Sequence, residues 1–593
     1  MKNLMTGNEA VARGAYEAGV RYASAYPGTP STEILENIAN YKEIVSEWAP
    51  NEKVALETTI GASMAGARTI AAMKHVGVNV AADPLFTISY TGITGGLVLV
   101  SGDDPGCHSS QNEQDNRYYA KFAKICCIEP SNSQECLDYV KKAFEISEQF
   151  DVAVLFRMTT RVCHSKSLVE FGERVEVPVI PYVKKPQKFI SAPANAKALH
   201  PVVEEKLKKM EEFSNTTELN RIEWHDKKIG IITSGISYNY AKEVFGDTAS
   251  YLKLGFTFPL PMDKIRAFAE EVETLYIIEE LEPFIEEQLK AAGISCIGKE
   301  RIPRCGELNP DIVAKALLGK EEERIAADSE SIVARPPTLC SGCPHRGFFY
   351  TLSKKKNVVI TGDIGCYTLG SAPPLNATDS VICMGASISM GHGAKRIFEQ
   401  ADPTKRVVAV IGDSTFFHTG INSLIHVAYN GGNTVSVILD NRITGMTGHQ
   451  ENPGSGFKLD GDPTGMINIE EVVRTIGIKH VKTVNPLKNK EVDAALEEAF
   501  AYEGASVIIT RWPCALKKFS QMDIEEFGLE KRYICYVDEP TCRGCRMCTK
   551  TGCPSVEFIV EKKKSSINEN TCLGCEVCLQ ACPFNAIFRK EKA

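Results

Sequence analysis

Two runs of cysteines at the end of the chain have the spacing that binds iron–sulfur clusters. Six of the 21 cysteines lie in two Cys-x2-Cys-x2-Cys runs, and each run is followed by a further cysteine before proline, which makes eight. Three thiolates at this spacing surround three corners of a cubane, and the fourth ligates the other cluster. Structural zinc sites instead use two separated Cys-x2-Cys pairs. The pattern therefore predicts two [4Fe–4S] clusters, one on Cys542, Cys545, Cys548 and Cys582 and the other on Cys553, Cys572, Cys575 and Cys578.

This cysteine-rich segment, residues 535–593, is an internal repeat that resembles bacterial two-cluster ferredoxins. It departs from their pattern in one place, because four residues instead of three precede Cys553. The longer spacer changes a loop and leaves the number of ligands intact. Since each cluster accepts one electron, the pair suits a two-electron oxidation whose electrons leave singly.

A second constellation could bind a metal ion and phosphate. A predicted strand, Arg406–Ile411, ends in Gly412-Asp413-Ser414, and after a helix the next predicted strand, Thr434–Leu439, ends in Asp440-Asn441. Parallel strands of a βαβ unit bring such ends together at the carboxyl edge of the sheet, where ligands bind. Asp413 and Asn441 thus offer hard oxygen ligands to Mg²⁺, which keeps other positions for phosphate and water.

The same segment resembles the thiamine-diphosphate motif, with Ser414 where glycine is commoner. That resemblance implies a third metal ligand from the carbonyl of Ile443. The stretch from Asn441 to Gln450 also resembles a loop of 2-oxoacid:ferredoxin oxidoreductases, which implies that Thr447 and Gly448 approach the cofactor.

Further segments resemble the diphosphate-binding domain of that family. Cys340-Ser-Gly-Cys343-Pro-His345 resembles its start, although alone it fits half a zinc site or a structural turn equally well. Two glycine-containing loops resemble those near the cofactor, since glycine allows close backbone approach to phosphate. The implied cofactor-binding residues are Cys343, His345, Asp363, Gly365, Cys366, Gly385, Ala386, Ser387, Gly412, Ser414, Thr447 and Gly448.

The N-terminal block resembles the family's pyrimidine-binding domain. A segment that begins at Glu52 and is rich in Gly and Ala implies that Glu52 is the acid that hydrogen-bonds the pyrimidine N1′ and activates the cofactor. Glu57, five residues later, points about 140° away on a helix and is the alternative acid. Tyr26-Pro27-Gly28-Thr29-Pro30-Ser31 resembles a loop whose threonine, here Thr29, lies near the substrate carboxylate, and Gly28 is expected to widen that pocket. The polar stretch 109–117 either lines the site or is a solvated loop.

These residues require alternating strands and helices to position them. The pattern predicts an α/β fold with several doubly wound parallel-sheet domains and a small two-[4Fe–4S] ferredoxin-like domain. We expect a pyrimidine-binding domain at residues 1–190 and a Lys- and Glu-rich helical linker at 191–226. An α/β domain like the transketolase C-terminal domain is expected at 227–325, the diphosphate domain at 335–530 and the ferredoxin module at 535–593.

Composition excludes several classes of protein. The formal net charge is −8 and no basic stripe is present, so nucleic acid is not an expected partner. No apolar run is long enough to span a membrane, and no signal peptide is evident. We expect a cytoplasmic protein whose cysteines remain reduced or bind metal.

The order of these segments resembles the large (alpha) subunits of the indolepyruvate:ferredoxin oxidoreductase family over nearly the whole chain. The resemblance implies thiamine diphosphate, Mg²⁺ and two [4Fe–4S] clusters as cofactors. It also implies CoA and an aryl pyruvate as substrates, ferredoxin as acceptor, and a small beta subunit in a heterodimer or α2β2 complex. The alternatives are an oxidoreductase for another 2-oxoacid, a non-oxidative decarboxylase, which would need no clusters, and an electron-transfer subunit without thiamine chemistry.

Overall fold

The computed structural model describes residues 2–321, 330, 332–333 and 335–592. The chain divides into two compact units, residues 1–327 and 328–593. The predicted domain end at 325 lies outside the described residues. No helix in the described part of the chain is both long and apolar enough to cross a membrane.

The first unit is built from thirteen strands and fourteen helices in its described residues. The strands are β1 Lys2–Thr6, β2 Tyr22–Ala25, β3 Val45–Trp48, β4 Thr69–Lys74, β5 Leu97–Asp103, β6 Cys126–Ile128, β7 Val154–Thr159, β8 Lys166–Glu170, β9 Asn220–Glu223, β10 Ile229–Ser234, β11 Ser250–Leu254, β12 Phe256–Phe258 and β13 Thr274–Ile278. The helices are α1 Gly7–Glu17, α2 Thr32–Ile38, α3 Glu52–Met64, α4 His75–Val80, α5 Ala82–Thr91, α6 Arg117–Ala123, α7 Ser133–Phe150, α8 Thr160–His164, α9 Pro186–Phe189, α10 Pro193–Thr216, α11 Ser237–Phe245, α12 Met262–Glu270, α13 Phe284–Ala291 and α14 Pro310–Leu318.

A seven-stranded sheet of order β12-β6-β7-β5-β4-β2-β3 forms the centre of this unit. All neighbours pair in parallel except β12, which pairs antiparallel with β6. The all-buried strand β5 lies in its middle, as expected for a sheet covered on both faces. The neighbouring strands β3, β2 and β4 end at one edge of the sheet, which carries the predicted Thr29 and Glu52.

A smaller sheet of order β13-β10-β11-β9 follows, with only β9 antiparallel. The segment 191–226, predicted to be a helical linker, is helical over α10, but its last residues form the edge strand β9. That part of the prediction is wrong, because an edge strand made of Asn, Arg, Ile and Glu has no strand-like composition.

The second unit contains a parallel sheet of order β14-β15-β16-β18-β17 and the cysteine-rich module. Its strands are β14 Val358–Thr361, β15 Arg406–Gly412, β16 Val435–Asp440, β17 His480–Val484, β18 Ser506–Arg511, β19 Tyr533–Val537, β20 Val556–Ile559, β21 Lys564–Ile567 and β22 Ile587–Glu591. Its helices are α15 His345–Leu352, α16 Ala386–Ala401, α17 Asp413–Thr415, α18 Ile421–Tyr429, α19 Ile469–Thr475, α20 Asn489–Ala501, α21 Gln521–Phe527 and α22 Val577–Gln580.

The predicted α/β class is therefore confirmed. The predicted strand Arg406–Ile411 is observed with one further residue, and the helix after it exists but includes a π turn at Phe416–Gly420 between α17 and α18. Such turns occur often at functional sites. The cysteine-rich module pairs β19 with β22 and β20 with β21, both antiparallel.

Candidate active site and cluster-binding cavities

The ends of β15 and β16 lie side by side, as the sequence predicts. Gly412 is paired with Leu439, so Asp413 and Asn441 follow the two strands at the same edge. The Asp413 carboxylate is buried and accepts a hydrogen bond from Asn452 Nδ2 at 3.1 Å. Burial, together with nearby Asp440, raises the pKa of Asp413 to about 7. A divalent cation would offset both effects, so this donor set fits the predicted Mg²⁺.

Asp440, the other acid at this edge, is already bound to arginines. Arg511 Nε lies 2.8 Å from its Oδ2, and Arg442 Nε lies 3.7 Å from its Oδ1. Asp440 therefore pairs with the buried Arg442 and the partly buried Arg511, and Asp413 is the carboxylate that suits a metal.

The loop after Asn441 is held by its own hydrogen bonds. Asn441 Oδ1 accepts from the Ile443 N–H at 3.3 Å, and the Thr444 hydroxyl donates to Ser414 Oγ at 2.9 Å. The Thr447 hydroxyl donates to Gln450 Oε1 at 2.5 Å. These bonds fix the path of the loop that carries the Ile443 carbonyl, whose role as metal ligand stays a prediction.

The buried Asp363 carboxylate holds one of the predicted phosphate loops in place. Its carboxylate accepts hydrogen bonds from the N–H groups of Gly385 at 2.8 Å and Ser387 at 3.0 Å, and burial raises its pKa to about 6. Gly385 has φ +84°, and a Cβ there would lie 1.8 Å from Thr419 Oγ1. Asp363 thus sets the start of α16, where Ala386 follows, and positions backbone groups.

Glycine is required at two further predicted positions because of one tyrosine. A Cβ on Gly365 would lie 2.4 Å from the Tyr367 ring, and one on Gly412 would lie 2.5 Å from it. The Tyr367 hydroxyl donates to Thr415 Oγ1 at 2.9 Å. Tyr367 therefore packs the Gly365 loop against the end of β15, next to Asp413.

Four cysteines outside the cysteine-rich module lie in one neighbourhood near Asp413. They are Cys340, Cys343, Cys366 and Cys514. Burial raises the pKa of the last three thiols, and neighbouring cysteines of this set raise the pKa of each by a smaller amount. Among the described residues, no three His, Cys, Asp or Glu side chains could hold a single metal ion. Cys514 was not predicted, although its position shortly after β18, at the same sheet edge, was a usable signal.

His345 lies in contact with the same edge. It is buried, its pKa is lowered to about 4 by burial, and its Nε2 lies 3.4 Å from Asn441 Nδ2. A neutral imidazole accepts a hydrogen bond through one nitrogen. We therefore assign His345 to holding the Asn441 amide in place.

In the first unit, the structure separates the two candidate acids of α3. Glu52 is buried at the start of the helix, which Asn51 caps by accepting from the Val54 N–H at 2.9 Å. Glu57 is exposed and pairs with Lys53 at 2.6 Å. An acid that tunes a cofactor must be desolvated, so this environment favours Glu52.

The Thr29 loop follows β2 at the same edge as Glu52. Thr29 is half-buried, and the Ser31 hydroxyl donates to the Gly28 carbonyl at 3.0 Å. Gly28 does not widen a pocket as expected, because the stem of Lys74 occupies that space: a Cβ on Gly28 would lie 3.0 Å from Lys74 Cβ. Lys74 donates to the Ser109 carbonyl, and burial lowers its pKa. This lysine was not predicted, although it ends an otherwise apolar strand.

The polar stretch 109–117 is anchored to the protein. Asp104 Oδ2 accepts from the Ser109 N–H at 2.8 Å and from the Ser110 hydroxyl at 2.5 Å. Asn116 Nδ2 donates to the His75 carbonyl at 3.1 Å. The end of the stretch, residues 115–117, is therefore buried against the residues that follow β4, whereas Ser109, Gln111 and Asn112 are exposed to solvent.

The eight cysteines of the module gather around two separate cavities. The first, which we call the Cys542 cavity, is lined by Cys542, Cys545, Cys548 and Cys582. The second, the Cys572 cavity, is lined by Cys553, Cys572, Cys575 and Cys578, and also by the buried Cys535. This is the crossed grouping that the spacing predicts. The longer spacer before Cys553 forms a 3₁₀ turn, Thr549–Thr551, that ends at left-handed Gly552.

Three family models match parts of the chain. Residues 13–229 match the thiamine-diphosphate-binding domain of pyruvate flavodoxin/ferredoxin oxidoreductases, residues 363–510 the C-terminal thiamine-pyrophosphate-binding domain of such enzymes, and residues 566–588 a 4Fe-4S binding domain. Thiamine diphosphate and iron–sulfur clusters are therefore its cofactors, and Mg²⁺ is typical of thiamine-diphosphate enzymes.

Full-length relatives decide the family. Indolepyruvate oxidoreductase subunit IorA of Archaeoglobus fulgidus is 40% identical, over 99% of this chain and 97% of its own. The protein of the same name from Pyrococcus horikoshii is 41% identical, over 99% and 96%. The chain belongs to the IorA family. A solved 2-oxoglutarate:ferredoxin oxidoreductase from Magnetococcus marinus is 16% identical over 54% of this chain and 65% of its own, with a TM-score of 0.45, and adds no argument.

Membership of the IorA family agrees with the geometry of both units. Its members are oxidoreductase subunits, and the word subunit in their name implies a partner subunit. The roles of the individual residues at the sheet edges and cavities are argued from their contacts and stay predictions.

Proposed function

We propose that this chain, together with a small beta subunit, catalyses the oxidative decarboxylation of aryl pyruvates such as indolepyruvate. CoA accepts the acyl group, CO₂ leaves, and two molecules of ferredoxin are each reduced by one electron. The observation that carries the proposal is the combination, in one unit, of the buried Asp413 edge with two four-cysteine cavities. Such a combination would couple decarboxylation at the cofactor to the transfer of electrons through the iron–sulfur clusters.

Thiamine diphosphate, when bound, supplies the carbanion chemistry that decarboxylation of a 2-oxoacid requires. Asp413, Asn441 and the Ile443 carbonyl would hold Mg²⁺ and, through it, the diphosphate. Backbone N–H groups at Gly385–Ser387, positioned by Asp363, would approach the phosphate oxygens. Glu52, whose carboxyl group is buried at the start of α3, would exchange a proton with the pyrimidine N1′.

The Thr29 loop would bind the substrate carboxylate, and Lys74 adds a cation to its wall. Its ammonium group donates to the Ser109 carbonyl, at the start of the polar stretch 109–117. The aromatic preference comes from the relatives, which are named indolepyruvate oxidoreductase subunits. We also place the reaction in the cytoplasm, where thiols remain reduced for cluster binding.

The test is a substrate panel with the purified complex of this chain and its beta subunit under anaerobic conditions. We expect indolepyruvate and phenylpyruvate to give higher kcat/KM than pyruvate or 2-oxoglutarate, with acyl-CoA formation matching ferredoxin reduction. A preference for an aliphatic 2-oxoacid would contradict the substrate assignment. Lack of bound thiamine diphosphate would instead favour an electron-transfer subunit.

A further inference from the structure

The Cys572 cavity holds one thiol more than a cubane cluster uses. Four of the cysteines that line it are the predicted ligands Cys553, Cys572, Cys575 and Cys578, and the fifth is Cys535. A [4Fe–4S] cluster binds four thiolates. The Cys542 cavity, by comparison, is lined by four cysteines. The crossed grouping therefore leaves Cys535 without a place among the ligands, although its side chain borders the cluster cavity.

The antiparallel pair of strands in the module holds Cys535 in this position. The residue lies in β19, where it is paired with Arg589 of β22, and it is 1% exposed. Its neighbours Ile534 and Tyr536 are paired with the same strand. The backbone of Cys535 therefore has a fixed position, and its thiol lies inside the module and not in solvent.

Cys535 contacts the predicted ligand Cys572 through both its backbone and its side chain. Its N–H donates to Cys572 Sγ at 3.2 Å. The two thiols are also hydrogen-bonded to each other, and a second such bond joins Cys535 to Cys578. Because side chains move between staggered rotamers, a rotation of the Cys535 side chain brings its sulfur towards the iron atom that Cys572 binds.

The internal repeat places a serine at the equivalent position of the other cavity. Cys535 lies seven residues before Cys542, and Ser565 lies seven residues before Cys572. Each lines the cavity of the opposite run, Cys535 the Cys572 cavity and Ser565 the Cys542 cavity. Ser565 Oγ lies 3.2 Å from the sulfur of Cys548, a predicted ligand there. The two cavities therefore share one architecture and differ in the chemistry of this position.

That difference decides how well the position can bind iron. A thiol loses its proton to become a soft thiolate, which is the ligand of iron–sulfur clusters. A serine hydroxyl keeps its proton near neutral pH and contributes a hydrogen bond to a neighbouring sulfur. Cys535 can thus take the place of a lost ligand, whereas Ser565 is a poor substitute for one.

From this arrangement we infer that Cys535 is a reserve ligand of the cluster in the Cys572 cavity, and that it binds the iron of Cys572 when that thiolate leaves. In the exchange the Fe–Sγ bond to Cys572 breaks and its sulfur takes up a proton. The Cys535 thiol gives up its proton, and an Fe–Sγ bond to Cys535 forms. No electron is transferred, and the cluster keeps all four irons. The inference concerns cluster binding and does not depend on which 2-oxoacid is the substrate.

The test removes one ligand from each cavity of the full-length chain, purified with its beta subunit under anaerobic conditions. Cys572→Ala removes the ligand that has a reserve thiol beside it. Cys542→Ala is the matched control, because it removes the equivalent residue of the first run, whose cavity has Ser565 instead. Iron and acid-labile sulfide are measured, together with electron paramagnetic resonance spectra before and after reduction with dithionite. A three-iron cluster gives its signal in the oxidised state, and a four-iron cluster gives one when reduced.

We expect Cys572→Ala to keep two four-iron clusters and the iron content of the wild type. Cys542→Ala should lose one iron per chain and show the signal of a three-iron cluster. The double variant Cys535→Ser/Cys572→Ala should also lose one iron, because the reserve thiol is absent. A three-iron cluster in Cys572→Ala, a four-iron cluster in the double variant, or a four-iron cluster retained in the Cys542 cavity of Cys542→Ala would each overturn the inference.

The cluster of the Cys542 cavity reports whether the module of Cys572→Ala has folded. If that cluster is intact and the Cys572 cavity is empty, Cys535 does not act as a ligand and the inference is wrong. If both clusters are lost, the reciprocal variant Ser565→Cys/Cys542→Ala decides, because it builds the same reserve position in the other cavity. A four-iron cluster is expected there, and failure to form one would overturn the inference.

Discussion

The Glu52 side chain lies directly against the backbone of Gly77, so that a Cβ on Gly77 would come within 2.7 Å of Glu52 Oε1. Gly77 belongs to α4, which follows β4, while Glu52 follows β3. The atom that would be displaced is the end of a flexible side chain. Substitution at Gly77 therefore moves the carboxyl group and leaves the fold in place.

Gly77→Ala should retain stability and thiamine diphosphate binding but lose turnover roughly 10- to 100-fold, since small displacements of catalytic groups have effects of this size. The measurement is kcat beside melting temperature. Gly61→Ala is the matched control, because it lies on α3 with nothing within 4 Å of the added Cβ. Equal activity of both variants would show that the position of Glu52 is unimportant.

Glu52→Gln should bind thiamine diphosphate and lose most turnover, because an amide cannot exchange the proton required at N1′. Hydrogen–deuterium exchange at the thiazolium C2 of bound cofactor measures this directly, without substrate. Exchange should be slow in Glu52→Gln and near normal in Glu57→Gln, whose carboxylate is exposed and paired with Lys53. The opposite pattern would transfer the role to Glu57.

Asp413→Ala should weaken Mg²⁺-dependent binding of thiamine diphosphate by roughly 100-fold or more, because it removes the anionic metal ligand. Cluster absorbance should not change, since the cysteines line separate cavities. Calorimetric titration of the cofactor provides the affinity, and Asp462→Ala, at an exposed acid of the same domain, provides the control. Unchanged affinity would remove Asp413 from the site.

Cys582→Ala should disturb the cluster of the Cys542 cavity, although Cys582 follows the second run. The electron paramagnetic resonance spectrum of Cys582→Ala should match that of Cys545→Ala. Cys553→Ala should match Cys575→Ala by the same crossed grouping. If Cys582→Ala resembled Cys575→Ala, the crossed ligation would be wrong.

Glu280 should make the stability of the first unit depend on pH. Burial raises its pKa to about 7 from the ordinary value, and Leu308 N–H donates to its Oε1 at 3.0 Å. Between the unfolded and folded pKa values, the folded state keeps a proton that the unfolded state has lost, so stability falls as pH rises through this window. Glu280→Gln should therefore raise the melting temperature at pH 8 and change it little at pH 4.

The measurement is thermal unfolding of wild type and variant at both pH values. The expected gain corresponds to ~3 kcal/mol, at about 1.4 kcal/mol per pKa unit. Glu273→Gln, at an exposed position, is the control and should match wild type throughout. A gain that is the same at pH 4 and pH 8 would exclude proton linkage as the cause.

Elements with strong local signals were predictable from the sequence. Helix α7, Ser133–Phe150, is predictable from the sequence, because its apolar face repeats at helical spacing and Asn132 caps it. The βαβ unit that carries Asp413 and Asn441 was predictable for the same reason. In both cases, pattern and local chemistry agree.

Residues whose burial or contacts are decided by tertiary packing were not predictable from the sequence. The helical spacing after β15 predicts that Ile425 faces inward with Leu424, yet Ile425 is 47% exposed. Helix α18 is apolar on more than one side, so only packing selects the buried face. Asn452, Lys74 and Gly77 reach the site from a loop, the end of a strand and a short helix, and their contacts are distant in sequence. Their contacts follow from the folded chain and have no local pattern.

The three-residue strand β12 determines where the chain can be truncated without exposing a sheet edge. It pairs with β6, more than a hundred residues earlier, and so completes the large sheet from the following domain. A fragment that stops at residue 226 would leave the β6 edge of Cys126–Ile128 with unpaired amide and carbonyl groups. Open edges recruit other chains, so this fragment would aggregate where one that continues through β13 would remain dispersed.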